Sequence, residues 1–190
     1  MKTVYDKMEF CAAHAAQADD ASFSEMLALL GDDNWRVRYA AAVALGDRRD
    51  PRAVDALVNV LQNENEAPLF TQPKLEGSAH AGSNIPYEIV FPEGTTEATK
   101  EAWRRRGRVI QAACLALGNL GTATPALLDL LHGYATDQSR DYAVRAASCH
   151  ALGQLGRPES LPILEQASGD EEWCTACEAR KAVKKMKEHA

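Results

Sequence analysis

A short stretch of sequence recurs at a fixed period, and that recurrence limits the fold more than any other feature of the chain. Residues 34–46 read Asn-Trp-Arg-Val-Arg-Tyr-Ala-Ala-Ala-Val-Ala-Leu-Gly, and residues 141–153 read Asp-Tyr-Ala-Val-Arg-Ala-Ala-Ser-Cys-His-Ala-Leu-Gly. Superposed, Trp35 falls on Tyr142, Val37 on Val144, Arg38 on Arg145 and Leu45-Gly46 on Leu152-Gly153. Val109 to Gly118 supplies a copy between them, and Asp170-Glu-Glu-Trp173 opens a degenerate last one. Leu117 and Leu152 are 35 residues apart and Leu152 and Val183 are 31, but Leu45 and Leu117 are 72 apart, so an insertion lies in that gap.

Each copy has the same second half: a short polar turn, then an apolar segment such as Ala53-Val-Asp-Ala-Leu-Val-Asn-Val-Leu61. Val54, Leu57, Val58 and Leu61 recur at helical spacing. Pro125 and Pro162 sit early in their segments, where a first-turn amide has no intrahelical partner to lose. Gly46, Gly118 and Gly153 are expected to be left-handed caps of the first helix. The alanine runs 40–42 and 146–147 suit closely stacked helices. The pattern predicts helices over 4–17, 22–30, 33–46, 51–62, 97–119, 123–135, 139–154, 158–168 and 171–188, the last a polar, lysine-rich cap.

The run Trp35 to Gly46, followed by Asp50-Pro-Arg-Ala-Val-Asp-Ala-Leu57, resembles the HEAT-like repeats of phycobilisome lyases over residues 20–62 and 105–187. The resemblance implies an all-α solenoid of four to five helical pairs, one repeat domain over residues 1–190 carrying an inserted non-helical loop at 63–96. HEAT-like repeats also serve hydroxylases, chaperones and adaptors, so the fold alone assigns no activity.

The insertion holds Pro68, Pro73, Pro86 and Pro92 with Gly77, Gly82 and Gly94, and cannot be one helix. Tyr87 to Phe91 reads as a strand. The insertion either covers a neighbouring helix pair, meets a partner or is disordered, and Phe70, Tyr87 and Phe91 are the anchors expected in the second case.

Chemistry-bearing residues are sparse. Cys174-Thr-Ala-Cys177 is a CxxC, but no second pair completes a four-ligand metal set. Cys114 and Cys149 fall on Ala42 and read as packing, and His150 falls on Val43. Repeat enzymes resembling deoxyhypusine hydroxylase hold iron through paired His-Glu dipeptides, and no histidine here precedes a glutamate. No catalytic residue, cofactor or metal is therefore assigned. Arg104, Arg105, Arg106 and Arg108, close to Trp103, form the one basic cluster: a phosphate grip, a solvated face or a dock for an acidic protein surface. The net charge of −6 argues against general affinity for nucleic acid or anionic membrane.

No stretch approaches the ~20 apolar residues needed to span a bilayer. Met1 to Gln17 lacks the apolar run of a secretory signal, and five cysteines, an odd number, read as reduced thiols. A cytoplasmic location is expected. The function expected is a non-catalytic scaffold or adaptor that holds another protein in the concave groove of its second helices and on the inserted loop. That groove would present Asp55, Asn59, Asp129, His132, Glu165 and Gln166. The alternative is an accessory or lyase subunit of an enzyme that attaches a bilin-type cofactor.

Overall fold

The computed structural model describes residues 3–64, 74–76 and 88–188, and among them the chain is built almost entirely of helices. It divides into two units, residues 1–65 with 107–190, and residues 66–106.

The first unit is an α-solenoid of HEAT-like pairs. Its first helices are α1 (Val4–His14), α3 (Trp35–Arg48), α6 (Arg108–Leu120), α8 (Tyr142–Leu155) and α10 (Trp173–Glu188). Its second helices are α2 (Asp20–Leu29), α4 (Val54–Asn63), α7 (Pro125–Thr136) and α9 (Leu161–Ala167). The first helices pack on one another in the order α1, α3, α6, α8, α10, and the second helices form the other layer. Side-chain oxygens of Thr3, Asp19, Asn34, Thr124 and Asp141 accept from first-turn amides and start these helices. Pro125 opens α7 and Pro162 lies in the first turn of α9.

Leu45, Leu117 and Leu152, the leucines of the repeated Leu-Gly pair, are fully buried. Burial of such a side chain contributes roughly 2 kcal/mol. The core also takes Val37, Ile110 and Val144 from the first helices and Leu57, Leu127, Leu131 and Leu164 from the second. Within the second layer, the buried Tyr134 hydroxyl of α7 donates to the Leu61 carbonyl of α4. This joins residues on either side of the insertion.

The glycines of the Leu-Gly pairs are not caps. They lie inside their helices, where each receives an alanine of the next first helix. A Cβ at Gly46 would stand 2.7 Å from Ala116, one at Gly118 2.9 Å from Ala151, and one at Gly153 2.6 Å from Ala182. The left-handed caps are Arg49, Gly121 and Gly156. What repeats is therefore a contact in which backbone meets backbone, and it sets how closely successive repeats approach.

The expected helix over 97–119 is two helices, α5 (Glu97–Arg105) in the second unit and α6 in the first. Gly107 breaks it with φ of +60°, and a Cβ there would stand 2.7 Å from Val144 Cγ2. Trp173 also differs from its repeat counterparts. Its counterparts Trp35 and Tyr142 are half-buried, but Trp173 is 73% exposed at the start of the last helix.

The second unit holds α5 and a short antiparallel ladder, β1 (Lys74–Glu76) with β2 (Glu88–Val90), in which Leu75 stands opposite Ile89. Phe91 packs edge-on to Trp103 with centroids 5.4 Å apart, and Lys100 lies over the Phe91 ring.

Candidate protein-binding face

Residues four apart on a helix share a face. On α3 the solvent side of the first-helix layer is Tyr39, Val43 and Asp47, and the equivalent positions of α6 are Gln111, Leu115 and Asn119. On α8 they are Ala146, His150 and Gln154, and on α10 Cys177, Lys181 and Lys185. Nearly all of these residues line two adjoining recesses. One, of about 170 Å³, lies between α3 and α6, with Tyr39, Val43 and Asp47 on one wall and Gln111, Leu115 and Asn119 on the other. The other, of about 540 Å³, continues from Gln111 and Leu115 over α8 to Glu178, Lys181 and Lys185 of α10. The buried Ala143, Ala147 and Ala182 floor it, and Ala182 is also the residue that Gly153 receives.

This face carries apolar side chains that reach solvent. Tyr39 (38%), Val43 (38%) and Leu115 (36%) are half of the exposed large hydrophobic side chains among the described residues. A contiguous apolar strip with a polar rim marks an interaction surface.

The rim is ordered by a chain of polar contacts. Lys181 Nζ donates to Glu178 Oε1 at 2.6 Å, and Glu178 Oε2 lies 3.2 Å from His150 Nδ1. Gln154 Nε2 lies 3.3 Å from His150 Nε2, and Lys185 Nζ donates to Gln154 Oε1 at 2.6 Å. A carboxylate only accepts, so Nδ1 is the donor to Glu178 and Nε2 is left to accept from the amide. Burial alone would raise the Glu178 carboxyl, but hydrogen bonds from Lys181 and His150 hold it below its ordinary value. Glu178 in turn raises Lys181.

The second-helix layer looks different. Asp55, Asn59, Asp129, Glu165 and Gln166 are exposed there, and His132 is half-buried with Nε2 2.9 Å from the buried Ser160 hydroxyl. Lys187 of α10 binds Glu165 at 2.8 Å. Of the loop anchors, Phe70 and Tyr87 lie outside the described residues. Phe91 is engaged with Trp103.

The arginines near Trp103 differ in exposure. Arg104 and Arg105 are exposed on α5, with Arg104 paired to Glu101. Arg106 is buried, stacked 3.9 Å from the centre of the Trp103 ring and donating to the Trp103 carbonyl. Arg108 opens α6 and binds Gln111. Cys174 is exposed and Cys177 half-buried, both as free thiols. Among the described residues, no cluster of His, Cys, Asp and Glu could hold a metal ion, and no helix is long and apolar enough to cross a membrane.

The signal for this face was present in the repeats. Aligned on Leu-Gly, one column reads Val43, Leu115, His150, Lys181 and another Asp47, Asn119, Gln154, Lys185. Each drifts from apolar or acidic to basic along the array.

The profile of HEAT repeats matches residues 5–69 and 100–183. No curated protein sequence matches the chain. Among solved structures, the complex of CpcE and CpcF of phycocyanin lyase from Nostoc sp. PCC7120 is similar, with 20% identity and a TM-score of 0.63. The match covers 97% of this chain and 59% of that one, so this chain spans about three fifths of its length. Human deoxyhypusine hydroxylase in complex with glycerol matches at 20% identity over 100% of this chain and 81% of that one, but with a TM-score of only 0.32. An engineered protein matches at 16% identity over 96% and 88%, with a TM-score of 0.40.

Proposed function

This chain belongs to the HEAT-repeat family, and from that premise we propose that it is a non-catalytic scaffold that holds a protein partner against the solvent face of its first helices. One observation carries the reading: the strip Tyr39, Val43, Leu115 is exposed, apolar and continuous with a recess of about 540 Å³ under a polar rim. Binding energy in such surfaces concentrates in a few apolar anchors ringed by polar contacts. The polar second-helix face, with Asp55, Asn59 and Asp129, is the competing surface.

The test is affinity purification from the native source, comparing the intact chain with Leu115→Glu and with a double Asp55→Lys, Asp129→Lys variant, all checked for helical circular dichroism. Loss of a discrete partner with Leu115→Glu alone supports the first-helix face. Loss with the double variant alone moves the site to the second helices.

A second reading rests on the similarity to the phycocyanin lyase complex: this chain would be one subunit of an enzyme that attaches a bilin-type chromophore. It expects a tetrapyrrole absorbance band that co-elutes with the chain after incubation with bilin. A colourless eluate would remove this reading.

A further inference from the structure

We infer that the first-helix face takes a partner segment of defined chemistry and direction: apolar residues at one end, over α3 and α6, and acidic residues at the other, over α10. The inference rests on the proposed protein-binding role of this face and adds the partner's character.

The argument is charge complementarity along a graded groove. The α3 and α6 end is lined by Tyr39, Val43 and Leu115, the apolar strip already described. Moving to α8 and α10, the column occupied by Val43 and Leu115 becomes His150 and then Lys181. The column occupied by Asp47 and Asn119 becomes Gln154 and then Lys185. On α10 the groove is lined by Lys181 and Lys185 against one carboxylate, Glu178, in a chain whose net charge is −6. That carboxylate, Glu178, already binds Lys181 and His150, so it orients Lys181 at the rim. Lys181 remains 72% exposed. A basic segment would meet repulsion at this end. An acidic one gains ion pairs with little desolvation, an arrangement that gives register and orientation more than raw affinity.

Geometry sets the length. Three helix-to-helix steps of 8–10 Å separate α3 from α10, about 25–30 Å in all. An extended segment of about eight or nine residues covers that distance.

The experiment is to pan a displayed library of random twelve-residue peptides on the intact chain, with Leu115→Glu as the counter-selection, and to synthesise the enriched peptides. The expected consensus pairs apolar residues at one end with Asp or Glu at the other. Lys181→Glu with Lys185→Glu should weaken a selected peptide about tenfold at low salt, and exchanging the peptide's acids for lysines should restore binding. Both substituted lysines are exposed, and circular dichroism should show the fold unchanged.

Three results would overturn the inference: a neutral or basic consensus, acidic peptides indifferent to the double reversal, or displacement by inorganic phosphate alone, which would make the rim a simple anion site. The protein-binding role is judged separately. A neutral consensus still lost with Leu115→Glu removes the acidic assignment and leaves the face. No enrichment, together with native capture indifferent to Leu115→Glu, removes both.

Discussion

Arg145 on α8 and Asp170, in the turn before α10, form a bidentate ion pair, Nε to Oδ2 and Nη2 to Oδ1 each at 3.0 Å, with side chains 4% and 1% exposed. The third arm of Arg145 donates to the Arg140 carbonyl at 2.6 Å, so one guanidinium fastens the turn before its helix to the turn after its repeat. Arg38, its counterpart, does the same. It holds Glu64 through Nε and Nη2 at 2.8 and 2.5 Å, and the Asp32 carbonyl through Nη1 at 2.8 Å. The equivalent position of α6 is the buried Ile110, so the clamp marks two repeats and leaves the middle one to apolar packing.

Removing one partner of the buried pair leaves the other charge stranded. Arg145→Met should therefore destabilise the fold by about 3 kcal/mol. Arg38→Met should cost less, because its pair keeps more contact with water. Urea midpoints followed by circular dichroism would rank the two. Equal costs would mean that burial does not set the strength of the clamp.

Acid should release the same clamp. Burial alone would raise the Asp170 carboxyl, but hydrogen bonds from Arg145 and Gln138 hold it below its ordinary value. A carboxyl depressed in the folded state contributes its full stability above the unfolded value of about 3.9, and loses it as pH falls through the folded value. Stability should thus be insensitive to Asp170 from neutral pH to about 5, then decline. Asp170→Asn should flatten that acid limb, as read from melting temperatures between pH 7 and 3.

Two helical glycines make a matched pair. Glycine to alanine in a helix normally stabilises by about 1 kcal/mol. At Gly133 of α7 an added Cβ meets nothing within 4 Å, so Gly133→Ala should raise the melting temperature. At Gly153 the Cβ would stand 2.6 Å from Ala182, and Gly153→Ala should instead cost about 1–3 kcal/mol by forcing α8 and α10 apart. Matching signs would refute the close contact.

Thiol reactivity should divide the five cysteines. Burial pushes the Cys149 thiol up to about 12 and the Cys11 thiol up to about 11, and Cys114 is fully enclosed. Only Cys174 and Cys177 reach solvent. Iodoacetamide at pH 8 should add two groups to the native chain and five to the unfolded one, counted by mass spectrometry. Prompt labelling of Cys149 in the native chain would contradict the packing described for α8.

Much of the fold was legible because helical repeats write their contacts locally. The spacing of Val54, Leu57 and Leu61 and the place of Pro125 each report on a window of one or two turns, and the period of Leu-Gly on one of about 35 residues. The break at Gly107 was harder to read, since Arg104 to Ile110 contains no proline and glycine is tolerated inside helices. The site was less legible still. Val43 and His150 were recognisable as one repeat position, but a column of apolar and polar residues reads equally as core or surface until the neighbouring helix is placed.

From the sequence alone came the family of fold, the pairing of first and second helices, the insertion, and the equivalence of Leu45, Leu117 and Leu152. Those features follow from periodicity within about 35 residues. Only the tertiary structure decided that Gly46 and Gly153 are contact points and not caps, that Arg106 turns onto Trp103, and that the recesses described lie largely over the first helices. Each of these depends on how closely two backbones approach across a repeat. That distance is set by the joint packing of residues far apart in the chain, as with Gly46 and Ala116, and no single window of sequence contains it.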